Sequence, residues 1–156
     1  MIASTAWKVS TSALIFCGSI TGCSSQPKTD PDTLVNVCKS VVAAITTSNS
    51  HKSMSGRFSD GMSNVEYARD DDGKVFKSQC KFYPTSDRTG AVVWRGVDVW
   101  EPGGGPGIWR EREYDEIVEY LSTVGENGKE TITLQIIYTG ASRTPTGRKR
   151  FEEFVF

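Results

Sequence analysis

The fold of this chain is decided by the stretch VFKSQCKF at residues 75–82, where aromatic and polar side chains alternate around a cysteine. Alternate side chains of an extended strand share one face, so Cys80 points the same way as Phe76 and Phe82. The preceding Asp70-Asp71-Asp72-Gly73 is typical of a tight turn, and residues 65–67 before it alternate in the same way. We therefore predict a hairpin whose second strand carries Cys80 towards the core.

A second cysteine lies in a segment with helical periodicity. Asp30 suits the N-cap position and Pro31 the first helical position, which predicts a helix over about residues 31–47. Because Cys38 belongs to the apolar stripe of this helix, a Cys38–Cys80 bond would join helix to sheet. The stripe recurs at spacings of three and four and consists of Leu34, Cys38, Val41, Val42 and Ile45.

The rest of the chain predicts strands separated by turns. Residues 91–100 are rich in β-forming residue types, and residues 102–107 form a flexible glycine-rich excursion. Residues 117–123 and 131–138 predict a hairpin, and residues 149–156 predict a last strand.

The order of these elements predicts the fold class. Successive hairpins with no helix between them favour an antiparallel meander. We predict an α+β fold, in which one N-terminal helix packs on an antiparallel β-meander of roughly five to seven strands and a disulfide joins helix and sheet. A more strongly coiled, barrel-like sheet is the alternative.

The N-terminal segment has the features of a secretory signal. Lys8 gives a weakly cationic start, and the apolar stretch from Ala13 to Ile20 is much shorter than the about 20 residues of a membrane span. Ile20-Thr21-Gly22-Cys23 resembles the lipobox of bacterial lipoproteins. The resemblance implies cleavage before Cys23 and diacylglycerol on its sulfur. An ordinary signal cleaved elsewhere is the alternative, and an unprocessed cytoplasmic protein is the third possibility.

The same resemblance implies domain boundaries and a location. A lipoprotein signal peptide would occupy residues 1–22, a short tether residues 23–30 and a single α+β domain residues 31–156. Even fully extended, residues 24–29 of this tether span only about 20 Å, so the domain would stay close to the membrane. Ser24 after the cysteine, in place of Asp, implies the periplasmic face of the outer membrane.

Length and charge limit the class of function. Cleavage leaves 134 of the 156 residues, which is enough for one domain with a single core. Without Lys8, 17 Lys and Arg face 19 Asp and Glu, so the mature side chains sum to minus two. This balance does not indicate a nucleic-acid-binding protein.

The mature chain keeps one pair of cysteines. Cys17 leaves with the signal and Cys23 is the acyl acceptor, so Cys38 and Cys80 remain in an oxidising compartment, which favours a disulfide. Free or metal-binding thiols are the alternative, but a zinc site needs further ligands. We expect no metal and no cofactor.

An acidic stretch offers an enzymatic alternative. Alternation would place Glu111, Glu113 and Asp115 on one face of a strand, and paired acids can hydrolyse glycosides. The interleaved Arg110 and Arg112 favour instead a mixed-charge surface on which the acids stay ionised.

Three further motifs carry no predicted chemistry. His51 is the sole histidine and lies in a polar stretch, and the chain has no Gly-x-Ser-x-Gly elbow, so we interpret it as a loop residue. Asp70-Asp71-Asp72-Gly73 lacks the glutamate at the twelfth position of a calcium loop. The glycines at residues 103–107 lack the following Lys-Ser or Lys-Thr of a phosphate-binding loop.

Trp94, Trp100 and Trp109 flank the glycine-rich excursion. Core packing is their default role, because tryptophan buries a large apolar area. Where exposed, they are the best candidates for contact with a partner, since tryptophan is enriched at binding hot spots.

The mature chain resembles small proteobacterial envelope lipoproteins with a cysteine-bearing first helix, an Asp-Gly turn and a Lys-x-x-Cys strand. The resemblance covers most of the mature chain, implies no known catalytic activity, and is broken by the glycine-rich insertion at residues 102–107. The matching residues are Cys38, Asp72-Gly73, Lys77-Ser78-Gln79-Cys80, Trp94, Trp109-Arg110 and Asp115-Glu116-Ile117.

These observations predict a lipoprotein that is held in the bilayer by acylated Cys23 and presents a non-enzymatic binding or structural domain. Its expected partner is an envelope protein or polymer, and nucleic acid is not expected. An inhibitor or exclusion factor that blocks a phage, a conjugation system or a hydrolase is the first alternative. An envelope hydrolase using the acidic stretch is the second.

Overall fold

The computed structural model describes residues 28–46, 50–98, 104–112 and 115–156. The predicted signal and Cys23 lie outside the described residues, as do Trp100 and Glu113. No helix within the described ranges combines the length and the apolar character needed to span a membrane.

One helix, α1, runs over Pro31–Thr46. Asp30 caps it as predicted, because its Oδ1 accepts the backbone N–H of Asp32 at 3.1 Å and its carbonyl accepts that of Leu34 at 3.1 Å. The predicted apolar stripe faces the sheet, and Cys38 and Val41 at its centre are almost completely buried.

The described residues form a seven-stranded antiparallel meander, in which each strand pairs with the next along the chain. The predicted α+β fold is therefore confirmed, at the upper end of the expected strand number. The strands are β1 Ser55–Ser59, β2 Met62–Ala68, β3 Val75–Pro84, β4 Thr89–Gly96, β5 Ile117–Val124, β6 Glu130–Thr139 and β7 Pro145–Val155.

The sheet is coiled around the helix, although it stays open. All seven strands contact α1, including the edge strands β1 and β7. A short 3₁₀ helix at His51–Ser53 precedes β1, and His51 Nε2 lies 3.0 Å from the Val155 carbonyl at the end of β7. The two edges of the sheet thus approach each other at one point without pairing as strands.

A disulfide joins Cys38 of α1 to Cys80 of β3, as predicted. Both residues are fully buried, and Phe76 on the same face of β3 is also buried. The alternative of free or metal-binding thiols at these two positions is wrong, since the sulfurs are bonded to each other.

Three strand boundaries differ from the prediction. β1 is a strand of polar, glycine-containing sequence with no apolar alternation, so no strand is predicted there. β4 begins at Thr89 and ends at Gly96 instead of covering residues 91–100. β7 begins at Pro145, four residues early, because pairing with β6 extends past the bulge between Ile137 and Thr139.

Candidate functional site

The loop after β4 folds back along that strand. β5 pairs only with Thr89–Val92, which leaves the second half of β4 without a strand neighbour on that side. The returning loop takes this place, because Gly107 donates to the Gly96 carbonyl at 2.8 Å and Arg110 to the Trp94 carbonyl at 2.9 Å. The end of the glycine-rich excursion is therefore fixed against the sheet.

Asp115 holds the next part of the loop in place. Its carboxylate accepts the backbone N–H of Arg112 at 2.8 Å. The same carboxylate lies 3.5 Å from Arg112 Nε and 3.6 Å from Arg110 Nη1. The Thr139 hydroxyl donates to the Asp115 carbonyl at 2.8 Å, which ties the loop to β6. Asp115 itself is buried, so it orients the two arginines from the inner side of the loop.

The acidic stretch does not form a strand where the structure describes it. Glu111, Arg112 and Asp115 lie outside any strand, so alternation does not align the acids on one face. Asp115 is buried between arginines while Glu111 is exposed. The interleaved arginines do pair with an acid, as the mixed-charge interpretation expects.

Trp94 and Trp109 are both half-buried but lie on opposite faces of β4. Trp94 is directly opposite Cys80 in the register, which places it on the helix face. The Trp109 ring lies on the other face, 4.1 Å from Lys81 Nζ and 4.5 Å from Arg95 Cζ. The two described tryptophans therefore do not form one contact patch, and Trp109 packs between cations.

Trp94 forms part of a cavity of about 410 Å³ between the C-terminal half of α1, the sheet and the returning loop. We call this cavity the aromatic groove. Its apolar wall includes Val42, Ile45, Tyr67, Trp94 and Ile108.

Cationic side chains line the rim of the aromatic groove. Lys77, Arg110 and Arg112 contribute to its lining, and Asp98 is the acidic residue among the lining side chains. The Arg110 guanidinium lies 5.3 Å from the centroid of the Trp94 ring, within the range of a cation–π contact. The groove can thus hold an apolar or planar group against Trp94 and offer arginine N–H donors to an acceptor on the same ligand.

Tyr67 lies in the wall of the groove, and the pKa of its hydroxyl is raised. Its ring stacks on Phe76 at 5.9 Å between centroids. Burial raises the pKa of the Tyr67 hydroxyl, and the positive charge of Arg69 opposes that shift. The hydroxyl is therefore a neutral hydrogen-bonding group near neutral pH, not an anion.

His51 holds a structural position. Its Nε2 donates to the Val155 carbonyl, and its ring packs edge-on against Phe154 and Phe156, with centroids 5.2 and 4.8 Å away. His51 thus seals the end of β7.

The Asp70-Asp71-Asp72-Gly73 motif is a hairpin turn, as predicted, with Gly73 at φ 68°. Arg69 pairs with Asp71 and with Asp72, and its hydrogen bond to Asp72 lowers the pKa of that carboxyl far below its usual range. Within the described part of the chain, no group of three or more His, Cys, Asp or Glu side chains is placed to hold a metal ion.

The sequence analysis missed a polar cluster at the other end of α1. The Glu130 carboxylate accepts hydrogen bonds from Thr33, Asn36 and Ser122, each at 2.7 Å. Burial raises its pKa, but the three hydrogen bonds and the positive charge of Arg88 together lower it by more, so the pKa lies below the ordinary value. The partners are up to 97 residues apart in sequence, so no local pattern could have revealed the cluster.

Comparison with protein-family models, with curated proteins and with solved structures finds no match to this chain.

Proposed function

We propose that this protein is a lipid-anchored envelope protein that binds a partner in the aromatic groove without catalysing a reaction on it. The anchor would be Cys23, through the lipobox resemblance, and the location the periplasmic face of the outer membrane. The partner would be an envelope protein or polymer that carries an apolar or planar group beside a hydrogen-bond acceptor.

The position of the groove relative to the tether supports this proposal. The end of the tether lies beside Ser86, because Thr29 donates to the Ser86 carbonyl at 3.5 Å. The aromatic groove is lined by Ile45 and Thr46 at the opposite end of α1. A rise of 1.5 Å per residue from Pro31 to Ile45 separates the two by about 20 Å. An acylated N-terminus would therefore leave the groove unobstructed.

The order within the loop also supports binding. Asp115 pairs with both Arg110 and Arg112 and holds them at the rim, so a ligand would meet arginines that are already oriented. Such preorganisation lowers the entropy cost of binding.

Two variants of the full chain test the anchor and the groove separately. Cys23→Ala should move the protein from the membrane to the soluble fraction, and unchanged retention in the membrane would contradict the anchor. A photo-crosslinking residue at Ile108, which is 64% exposed in the groove, should give a defined adduct in intact envelopes. The same residue at Tyr83, which is 54% exposed on the outer face, is the matched control.

The groove proposal requires that the adduct depend on the orientation of the arginines. Asp115→Asn keeps the shape of the side chain but removes its charge, so the Ile108 adduct should decrease several-fold. An adduct of equal yield at Ile108 and Tyr83, or one that Asp115→Asn leaves unchanged, would exclude the groove as the binding site.

A further inference from the structure

In the part of the chain that the structure describes, no strand pairs with the outer edge of the last strand, β7. β6 is its strand neighbour among the described residues, and the backbone N–H of Phe156 donates to the Glu130 carbonyl at 2.8 Å. Peptide groups of successive residues in an antiparallel strand point to opposite sides, so those of every second residue point the same way. Since Phe156 points to β6, the peptide groups of Lys149, Phe151 and Glu153 point away from the sheet.

The contact of His51 with Val155 confirms this direction. Val155 belongs to the same alternate series, and its carbonyl is directed outwards to His51 Nε2 at 3.0 Å. His51 therefore occupies the end of the edge, and the outward peptide groups of residues 149–153 precede it.

The side chains along this edge change sign at one residue. The sequence RKRFEEF at residues 148–154 places three cations before Phe151 and two acids after it. Phe151 is 62% exposed. Lys149 and Glu153 lie on the outer face with it, and neither has an ion pair with a described residue. Four residues of strand separate them by about 13 Å, so they do not pair within one chain.

We propose that β7 pairs antiparallel with β7 of a second copy of this chain. A two-fold axis relates the two copies and passes between their Phe151 residues. In this register Phe151 faces its own counterpart, and Lys149 of each copy faces Glu153 of the other. A parallel arrangement would place like charges side by side, which is unfavourable. The charge pattern thus selects one orientation and one register.

The outward peptide groups fit the same register. Phe151 opposite Phe151, and Lys149 opposite Glu153, are hydrogen-bonded positions of an antiparallel pair, which gives about six interchain hydrogen bonds. An unpaired edge strand otherwise favours uncontrolled association. A two-fold pair closes on itself and uses the β7 edge of both copies. The interface is small, so confinement to a membrane would increase pairing, although the pairing does not depend on the aromatic groove.

A cysteine at the two-fold axis tests the register in the full chain. Phe151→Cys should give a disulfide-linked dimer under mild oxidation of intact envelopes, because hydrogen-bonded pairs have Cα atoms about 5.5 Å apart, within the range of a disulfide. Leu121→Cys is the matched control, since Leu121 is 43% exposed on the outer face but two strands from the edge. Equal dimer yield from both variants would overturn the proposal.

A charge exchange in the Phe151→Cys chain tests the pairing itself. Lys149→Glu alone, and Glu153→Lys alone, each create two like-charge pairs and should lower the dimer yield roughly fivefold. The double exchange should restore the yield, because it reverses every pair and leaves the attraction intact. The proposal is overturned if the double variant dimerises no better than the single ones while protease resistance shows that all three are folded.

Discussion

At the scale of single residues, Glu130 connects the start of α1 to the sheet. Its carboxylate accepts hydrogen bonds from two helix side chains, Thr33 and Asn36, and from Ser122 of β5. Hydrogen bonds to a charged group contribute about 1.5 to 3 kcal/mol each before the cost of burial is counted. Because the pKa of Glu130 is lower in the folded chain than its usual 4.5, the ionised form stabilises the fold.

We therefore predict that Glu130→Gln lowers the free energy of unfolding by about 1 to 3 kcal/mol at pH 7. A lowered carboxyl pKa contributes stability that is present above the unfolded pKa and is lost as the pH falls through the folded pKa. The difference in unfolding free energy between the variant and the parent should thus shrink as the pH falls below 4.5, the usual pKa of the carboxyl.

Urea unfolding at several pH values measures both effects. Glu126→Gln, in the exposed turn between β5 and β6, is the control and should change stability by less than about 0.5 kcal/mol. Equal stability of Glu130→Gln and the parent at pH 7 would contradict the role given to this carboxylate, as would a difference that is independent of pH.

At the scale of elements, β4 contains two glycines in different surroundings. A Cβ on Gly90 would lie 2.7 Å from the Tyr83 carbonyl oxygen and 2.8 Å from the Pro84 Cα, both of them backbone atoms of β3. A Cβ on Gly96 would have its nearest atom, the Asp98 carbonyl oxygen, at 3.6 Å, which is an ordinary contact. The close approach of β3 to β4 therefore depends on the missing side chain at one end of the strand.

Gly90→Ala is predicted to destabilise the fold by about 1 to 3 kcal/mol, because backbone must move to admit the new methyl group. Gly96→Ala, on the same strand and of the same chemistry, should leave stability within about 0.5 kcal/mol of the parent. Thermal unfolding of the two variants side by side makes the comparison. Equal melting temperatures for the two would show that β4 does not pack as closely as described.

The sequence predicted the elements that have a clear local periodicity. The spacing of the α1 stripe and the alternation around Cys80 are both visible within a few residues, and both led to the disulfide. The start of β7 at Pro145 follows from pairing with β6, and the cluster around Glu130 joins distant segments. Neither has a local signature.

The candidate site was only partly predictable for the same reason. Trp94, a predicted contact residue, lines the aromatic groove, but the sequence could not show that Trp109 lies on the opposite face of β4. That separation follows from the returning loop, whose path is set by hydrogen bonds to the Trp94 and Gly96 carbonyls. The aromatic groove itself is formed by α1, three strands and this loop together.

At the scale of the whole molecule, the disulfide joins the helix to the sheet that surrounds it. Its loop spans a sequence separation of 42 residues, for which the chain-entropy model gives about 4 kcal/mol of stabilisation. For a domain whose total stability is about 5 to 15 kcal/mol, this is a large share.

We predict that reduction of the Cys38–Cys80 bond lowers the free energy of unfolding by about 2 to 5 kcal/mol. Urea unfolding with and without reductant gives this value for one and the same chain, without the cavity that a substitution would leave. An unchanged unfolding midpoint would mean that coiling of the sheet alone keeps α1 in place.

The proposed pair of chains and the proposed anchor restrict each other. A two-fold axis through Phe151 stands normal to the sheet, so the two tethers leave at opposite ends of the joined sheets. Residues 24–29 of each tether span only about 20 Å when fully extended. Both tethers therefore reach the same bilayer when the two-fold axis is perpendicular to the membrane and the joined sheets lie parallel to its surface.

Intact-mass analysis of the protein extracted from native envelopes, after alkylation without reductant, tests the central claim that a lipid anchor carries a disulfide-bonded domain. The account predicts a chain of residues 23–156 with acyl groups on Cys23 and no alkylation at Cys38 or Cys80. An unacylated N-terminus, a different first residue, or alkylation of either inner cysteine would contradict it.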